Sequence, residues 1–129
     1  MKFGIDIINA GHFGDPRNVL EIAQAAEASG WDGFFIWDHL AFIWNGASAD
    51  PWVTLAGVAA TTEKIRIGPM ITPVARRRPQ VLAQHLVSLD LLSSGRVIFG
   101  AGLGGVAQEF TAFGEPFEPK EVAAMLDEG

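Results

Sequence analysis

Apolar residues fall along this chain in two alternating rhythms: short, dense runs rich in Phe, Ile and Val, and longer stretches where they recur at every third or fourth position. The first rhythm suits strands and the second amphipathic helices. Phe3 to Ile8 is the first dense run, and it leads into the Gly-punctuated loop Asn9-Ala10-Gly11-His12-Phe13-Gly14. Asp15-Pro16 then predicts a helix start, because Asp can accept an orphan N–H at the cap and Pro at the first helical position has no donor to lose. Val19, Ile22, Ala23 and Ala26 form the apolar stripe of that helix, and Gly30 supplies its stop.

The same alternation recurs down the chain. Gly33-Phe34-Phe35-Ile36-Trp37 is uninterruptedly apolar, which predicts a strand covered on both faces, as in a parallel sheet wrapped by helices. After a loop holding Trp44, Asn45 and Gly46, Asp50-Pro51 repeats the cap-and-proline device ahead of Trp52, Leu55, Ala56 and Ala59. Ile65 to Thr72 reads as a third strand, but Gly68 and Pro69 inside it mark a bulge or a close backbone approach. A helix starting near Pro79 carries Val81, Leu82, His85, Leu86 and Leu89 until Ser93-Ser94-Gly95 breaks it, and Arg96-Val97-Ile98-Phe99 predicts a fourth strand. Pro119 opens a last helix with Val122, Met125 and Leu126 on its apolar face.

Strands alternating with helices through short connections predict βαβ units on a parallel sheet. The expected fold is α/β: a TIM-type (β/α)8 barrel, of which residues 1–129, read as one domain, supply about the first four βα units. A complete barrel takes roughly 250 residues, so half a barrel is expected, with open sheet edges that a second copy of the chain or the missing barrel half would cover.

Composition narrows the function. A hydrophobic content of 49% with 19% charged residues is that of an ordinary globular core, and the net charge of −6 argues against nucleic acid as a partner. The basic cluster Arg76-Arg77-Arg78 is either a solvated loop or an anion site. With no cysteine, disulfides, thiolate metal ligation and a cysteine nucleophile are excluded, and the dispersed histidines predict no metal site. The N-terminus carries no signal-peptide core and no apolar run is long enough for a membrane span, so a cytoplasmic protein acting on a small molecule is expected.

Barrel chemistry sits at the C-terminal ends of the strands. There, the second apolar run ends abruptly in Asp38-His39, a pair able to exchange a proton at neutral pH, or else to cap a turn and bond locally. His85 shares a helix's apolar stripe and reads as a core residue; His12 lies in the first rim loop and reads as an exposed polar residue or a lesser candidate. Gly68-Pro69-Met70-Ile71-Thr72-Pro73 and Gly100-Ala101-Gly102-Leu103-Gly104-Gly105 would each let the backbone approach a flat ligand or an anion.

Taken in order, Phe34-Phe35-Ile36-Trp37-Asp38-His39, Asp50-Pro51-Trp52, Lys64-Ile65-Arg66-Ile67-Gly68, Thr72-Pro73, Arg77-Arg78-Pro79 and Gly100-Ala101-Gly102-Leu103-Gly104 resemble the bacterial luciferase-like monooxygenase family, as do Glu109-Phe110 and Ala112-Phe113-Gly114 further on. The resemblance spans essentially the whole chain, as an N-terminal half. It implies an oxidoreductase or monooxygenase that uses FMN or the deazaflavin coenzyme F420 on a small organic substrate, with a non-catalytic flavin-binding or assembly module, or an inactive fragment, as the alternative. It implies His39 as the general acid/base, and Asn9, Asp38, Pro69, Met70, Thr72, Gly102, Leu103 and Gly104 around the cofactor ring, with a non-prolyl cis peptide at Pro69-Met70. Some deazaflavin-dependent members carry an acidic residue where this chain has Gly105, a departure from a specific dehydrogenase pattern.

Overall fold

The computed structural model describes residues 1–41 and 46–129; Trp44 and Asn45, singled out above, lie outside the described residues. Strand β1 (Gly4–Ile7) is followed by a 3-10 turn at Gly11–Gly14 and helix α1 (Pro16–Ala28). Strand β2 (Gly33–Ile36), helix α2 (Pro51–Thr61), strands β3 (Arg66–Pro69) and β4 (Thr72–Pro73), and helix α3 (Pro79–Leu92) come next. Strand β5 (Ala101–Gly102), the short helix α4 (Gln108–Thr111) and helix α5 (Pro119–Glu128) complete the order.

The caps form as the sequence predicts. Asp15 Oδ1 accepts the Arg17 N–H at 3.0 Å, and Arg17 beside it pulls the Asp15 carboxyl down to about 2. At α2, Asp50 Oδ1 takes the Val53 N–H at 2.9 Å. Helix α1 stops at Gly30, where a φ of +80° lets Gly30 N–H and Trp31 N–H return to the carbonyls of Glu27 and Ala26.

Strands β1, β2 and β3 form a parallel sheet in that order, with Ile5, Phe34 and Ile67 in one row and Asp6, Phe35 and Gly68 in the next. Because side chains alternate along a strand, the first kind of row packs on the helices and the second faces away. Phe34, Ile36 and Ile67 are fully buried with Val19, Leu55 and Val58. Phe35 is only half-buried and Trp37 remains 38% exposed, so the expectation of a strand covered on both faces is corrected. In a closed barrel this second face is the interior.

The fourth strand also differs from expectation. Residues 96–99 make a single bridge, Ile67 to Val97, and regular pairing resumes only between β4 and β5. Between that bridge and the Thr72–Ala101 pair, the third strand uses one residue more than its neighbour. Pro69 still accepts the Gly100 N–H, but the next bond to Gly100 comes from Thr72 N–H, leaving Met70 and Ile71 as the bulge. The non-prolyl cis peptide is Met70–Ile71, one bond later than expected at Pro69-Met70.

At the opposite end of the strands, Arg96 is turned inward. Its guanidinium donates to the carbonyls of Ala59, Thr62, Ile65 and Ser93 and to Thr62 Oγ1, all within 2.6–3.1 Å. This fastens the end of α2 to the start of β3 and explains why residue 96 starts no strand. Among the described residues no helix is long and apolar enough to cross a membrane.

Candidate active site

The C-terminal ends of β2, β4 and β5 meet at one rim, and the loops there form a cleft of about 570 Å³ lined by Trp37, His39, Met70, Ile71, Leu103 and Glu109 among others. That size falls within the roughly 300–1,000 Å³ usual for small-molecule sites. Of the residues expected from sequence, Asp38, His39, Met70, Gly102, Leu103 and Gly104 line this cleft. Asn9, Pro69 and Thr72 lie outside its lining and are buried.

Apolar surface dominates one wall. Ile71 projects from the bulge and Leu103 from the glycine loop, each about 40% exposed (43% and 41%). A Cβ on Gly102 would press on the end of the Ile71 side chain, which would have to turn aside into the cleft, while a Cβ on Gly105 would meet only open space. The Trp37 ring stands 5.6 Å from that of His39, and its Nε1–H donates to Asp6 on the open face of the sheet. Partial burial raises the Asp6 carboxyl above its ordinary range, against the opposing effect of the Trp37 bond.

Behind this wall stands a polar cluster. Asp38 is buried; its Oδ1 accepts from Arg77 Nη2 at 2.6 Å and its Oδ2 from Trp52 Nε1 at 3.3 Å. Arg76, from the 3-10 turn Val74–Arg76 that follows β4, donates to the Asp38 carbonyl at 2.8 Å and to Glu109 Oε2 at 2.7 Å. Glu109 Oε1 lies 3.0 Å from His39 Nδ1 and accepts the Ala41 N–H at 3.1 Å. Asn9 Nδ2 bonds the carbonyls of His39 and Ala49, tying the first rim loop to the second. Two buried oxygens, Asn9 Oδ1 and Thr72 Oγ1, find no partner among the described residues.

The alternatives left open for the arginine cluster are thus divided: Arg76 and Arg77 bind anions, but these are the chain's own Asp38 and Glu109, while Arg78 is exposed. Asp38 is no surface turn cap. His85 departs from its expected core position; it is exposed, although its ring stands 5.6 Å from that of buried Trp52. Leu82 and Leu89 take the buried line of that helix, and His85 flanks it. His12 is exposed in the 3-10 turn. Sequence reasoning missed Glu109 as a site residue. A signal existed, since an acid beside the apolar Phe110 follows a rim loop, and both prove buried.

Comparison with known proteins agrees with this geometry. The sequence profile of the luciferase-like monooxygenases matches residues 1–128. The F420-dependent glucose-6-phosphate dehydrogenase of Amycolatopsis mediterranei is 38% identical over 125 residues, 93% of this chain and 37% of that protein. An F420-dependent secondary alcohol dehydrogenase solved with an F420-acetone adduct superposes with a TM-score of 0.86 at 28% identity, over 98% of this chain and 39% of that one. The oxygenating constituent of 3,6-diketocamphane monooxygenase from Pseudomonas putida, solved with FMN, shares the fold at a TM-score of 0.85 and 23% identity, over 99% of this chain and 37% of that one. The chain therefore spans little more than a third of the length of the relatives it matches. Matched by the family's profile over residues 1–128 and superposing closely on its solved relatives, the chain belongs to the luciferase-like monooxygenase family of enzymes.

Proposed function

We propose that this chain forms the N-terminal part of a TIM-type barrel enzyme, a deazaflavin- or flavin-dependent oxidoreductase acting on a small organic substrate. The observation that carries this reading is the cleft itself, where an apolar bulge and an open glycine loop face His39. A flat ring suits these residues: Met70 and Ile71 offer a protruding apolar back, and Gly105 has room above it. Thr72, between Ile71 and Pro73, and Asn9, bonded to the His39 carbonyl, lie buried directly behind this lining, which supports a role for both in holding the loops that would meet the ring. F420 is favoured over FMN because relatives 37–39% identical in sequence are F420-dependent glucose-6-phosphate dehydrogenases.

The bound group would supply the hydride-transfer or oxygen chemistry. The chain's part is positional and protonic. Ile71 and Leu103 would flank the ring and exclude water; Pro69, Gly102 and Gly104 would shape the backbone that receives it. Asp38 would sit behind, held by Arg77. His39 would exchange a proton with the substrate through ring Nε2. Trp37, Ile71, Ile98 and Leu103 leave apolar surface open, and further barrel strands would cover it, from the rest of a longer chain or from a second copy.

The test is titration of the protein with F420 and with FMN, following ring fluorescence and mass in solution, for the wild type and His39→Ala. Cofactor retention by both, with turnover of the reduced cofactor lowered roughly a hundredfold or more in the variant, fits an acid/base role. Failure to bind either cofactor, by the chain and by a longer polypeptide extended to the length of its relatives, would refute the reading.

A further inference from the structure

We infer, building on the reading of His39 as the acid/base group, that Glu109 held by Arg76 is a positioning residue: it accepts a hydrogen bond from His39 Nδ1–H and so holds the ring in the tautomer whose Nε2 carries no proton. Glu109 is almost fully buried, with its side chain 3% exposed, and among the described residues its carboxylate meets the Asp38–Ala41 loop and the arginine that pins that loop. One guanidinium, Arg76, donates both to the Asp38 carbonyl and to Glu109 Oε2. It fixes at once the backbone that carries His39 and the carboxylate that meets its ring.

The direction of the bond follows from the donors around it. A carboxylate beside an always-charged guanidinium is an acceptor only. The Ala41 N–H and Arg76 already donate to it, so the 3.0 Å contact with His39 is made by Nδ1–H donating to Oε1. Charge balance alone does not demand this contact, because Arg76 faces Oε2 and the opposite oxygen is turned to the ring. Turning the imidazole over would set a carbon against Oε1, so the bond selects one ring orientation as well as one tautomer. A base oriented by a third group is the recurring logic of activated sites. Here the orienting acid is supplied from a helical turn seventy positions away in the chain.

The experiment is a long-range proton–nitrogen NMR correlation of the 15N-labelled chain at about pH 8.5, where an ordinary imidazole is neutral. The wild type should show His39 as the Nδ1–H tautomer in roughly tenfold or greater excess, as a charge-assisted bond predicts. Exposed His12 serves as the reference in the same spectrum. Glu109→Gln, which keeps the side chain's size, should reduce that excess roughly tenfold while leaving His12 unchanged. A wild-type His39 protonated on Nε2 overturns the inference without any variant, so a variant that fails to fold does not shield it. An unchanged tautomer ratio in folded Glu109→Gln also overturns it. Loss of the acid/base reading is separately visible, as undiminished turnover in His39→Ala with the wild-type tautomer still Nδ1–H.

Discussion

Replacing Arg96 by Met removes a guanidinium that is 8% exposed and makes five hydrogen bonds, while keeping much of the apolar stem. The acceptors left behind are the carbonyls of Ala59, Thr62, Ile65 and Ser93 and the hydroxyl of Thr62. Bonds to a charged group contribute about 1.5–3 kcal/mol each, and summing five would equal the whole stability of a typical domain, about 5–15 kcal/mol. That sum is too large, because carbonyls near the protein's edge regain some water when the donor leaves. A loss of about 3–5 kcal/mol is the better figure, because an acceptor left buried and unpaired costs about 1–3 kcal/mol and only some of the five would stay dry. With a urea dependence of about 2 kcal/mol per molar, the unfolding midpoint should fall by about 2 M. Arg96→Lys should lie between, since an ammonium has three donors where the guanidinium has five. Urea unfolding followed by circular dichroism decides the matter; a midpoint for Arg96→Met within about 0.3 M of wild type would refute the view that this residue fastens α2 to β3.

Two other substitutions probe the frame around the site. In Gly68→Ala the new Cβ would collide with the backbone carbonyl of Ile98, which cannot swing aside as a side chain could. A loss of about 3 kcal/mol or more is expected in the same urea assay, and a neutral result would mean that β3 and the following segment are not packed this closely. Glu27 accepts the backbone N–H groups of Glu63, Lys64 and Ile65 within 2.6–3.1 Å. Burial opposes its ionisation, yet those three N–H groups, with the Arg96 charge, hold its carboxyl below the ordinary 4.5. A carboxyl lowered by folding stabilises the native state fully above the unfolded value and loses that contribution as pH falls through the folded one. The gap in urea midpoint between wild type and Glu27→Gln should therefore be widest near pH 7 and shrink below about pH 4.5. A gap independent of pH would show that the carboxylate's charge contributes nothing.

Local signals predict most of the frame because they act within a few residues. Asp15-Pro16 and Asp50-Pro51 cap helices by bonds to N–H groups two or three positions on, so their effect is written in adjacent sequence. Gly68-Pro69 announces a bulge for the same reason: a residue lacking a side chain and one lacking a donor disturb a ladder wherever they stand. The cis bond stands one peptide later than the resemblance implies, inside a bulge whose limits are set by the two backbone bonds of Gly100, to the Pro69 carbonyl and from the Thr72 N–H, some thirty positions on. The fourth strand is shorter than its composition suggests on similar grounds. Arg96-Val97-Ile98-Phe99 has the residues of a strand, but the Arg96 side chain is claimed by the end of α2 and the bulge interrupts the ladder.

By itself the sequence determined the strand–helix alternation, the helix caps, the family, and the Asp38-His39 corner at the rim. These depend on periodicity, on short-range hydrogen bonding and on ordered motifs, all of which can be read along one chain. Only the tertiary structure decided what the arginines and Glu109 do. Arg76 and Arg77 look like a surface cluster until folding brings them against Asp38 and Glu109, partners thirty to forty positions distant in either direction along the chain. The contact between Glu109 and His39 spans seventy positions and leaves no mark on local composition. Such pairings are fixed by the register of the parallel strands, which sets where each rim loop lands, and that register belongs to the sheet as a whole.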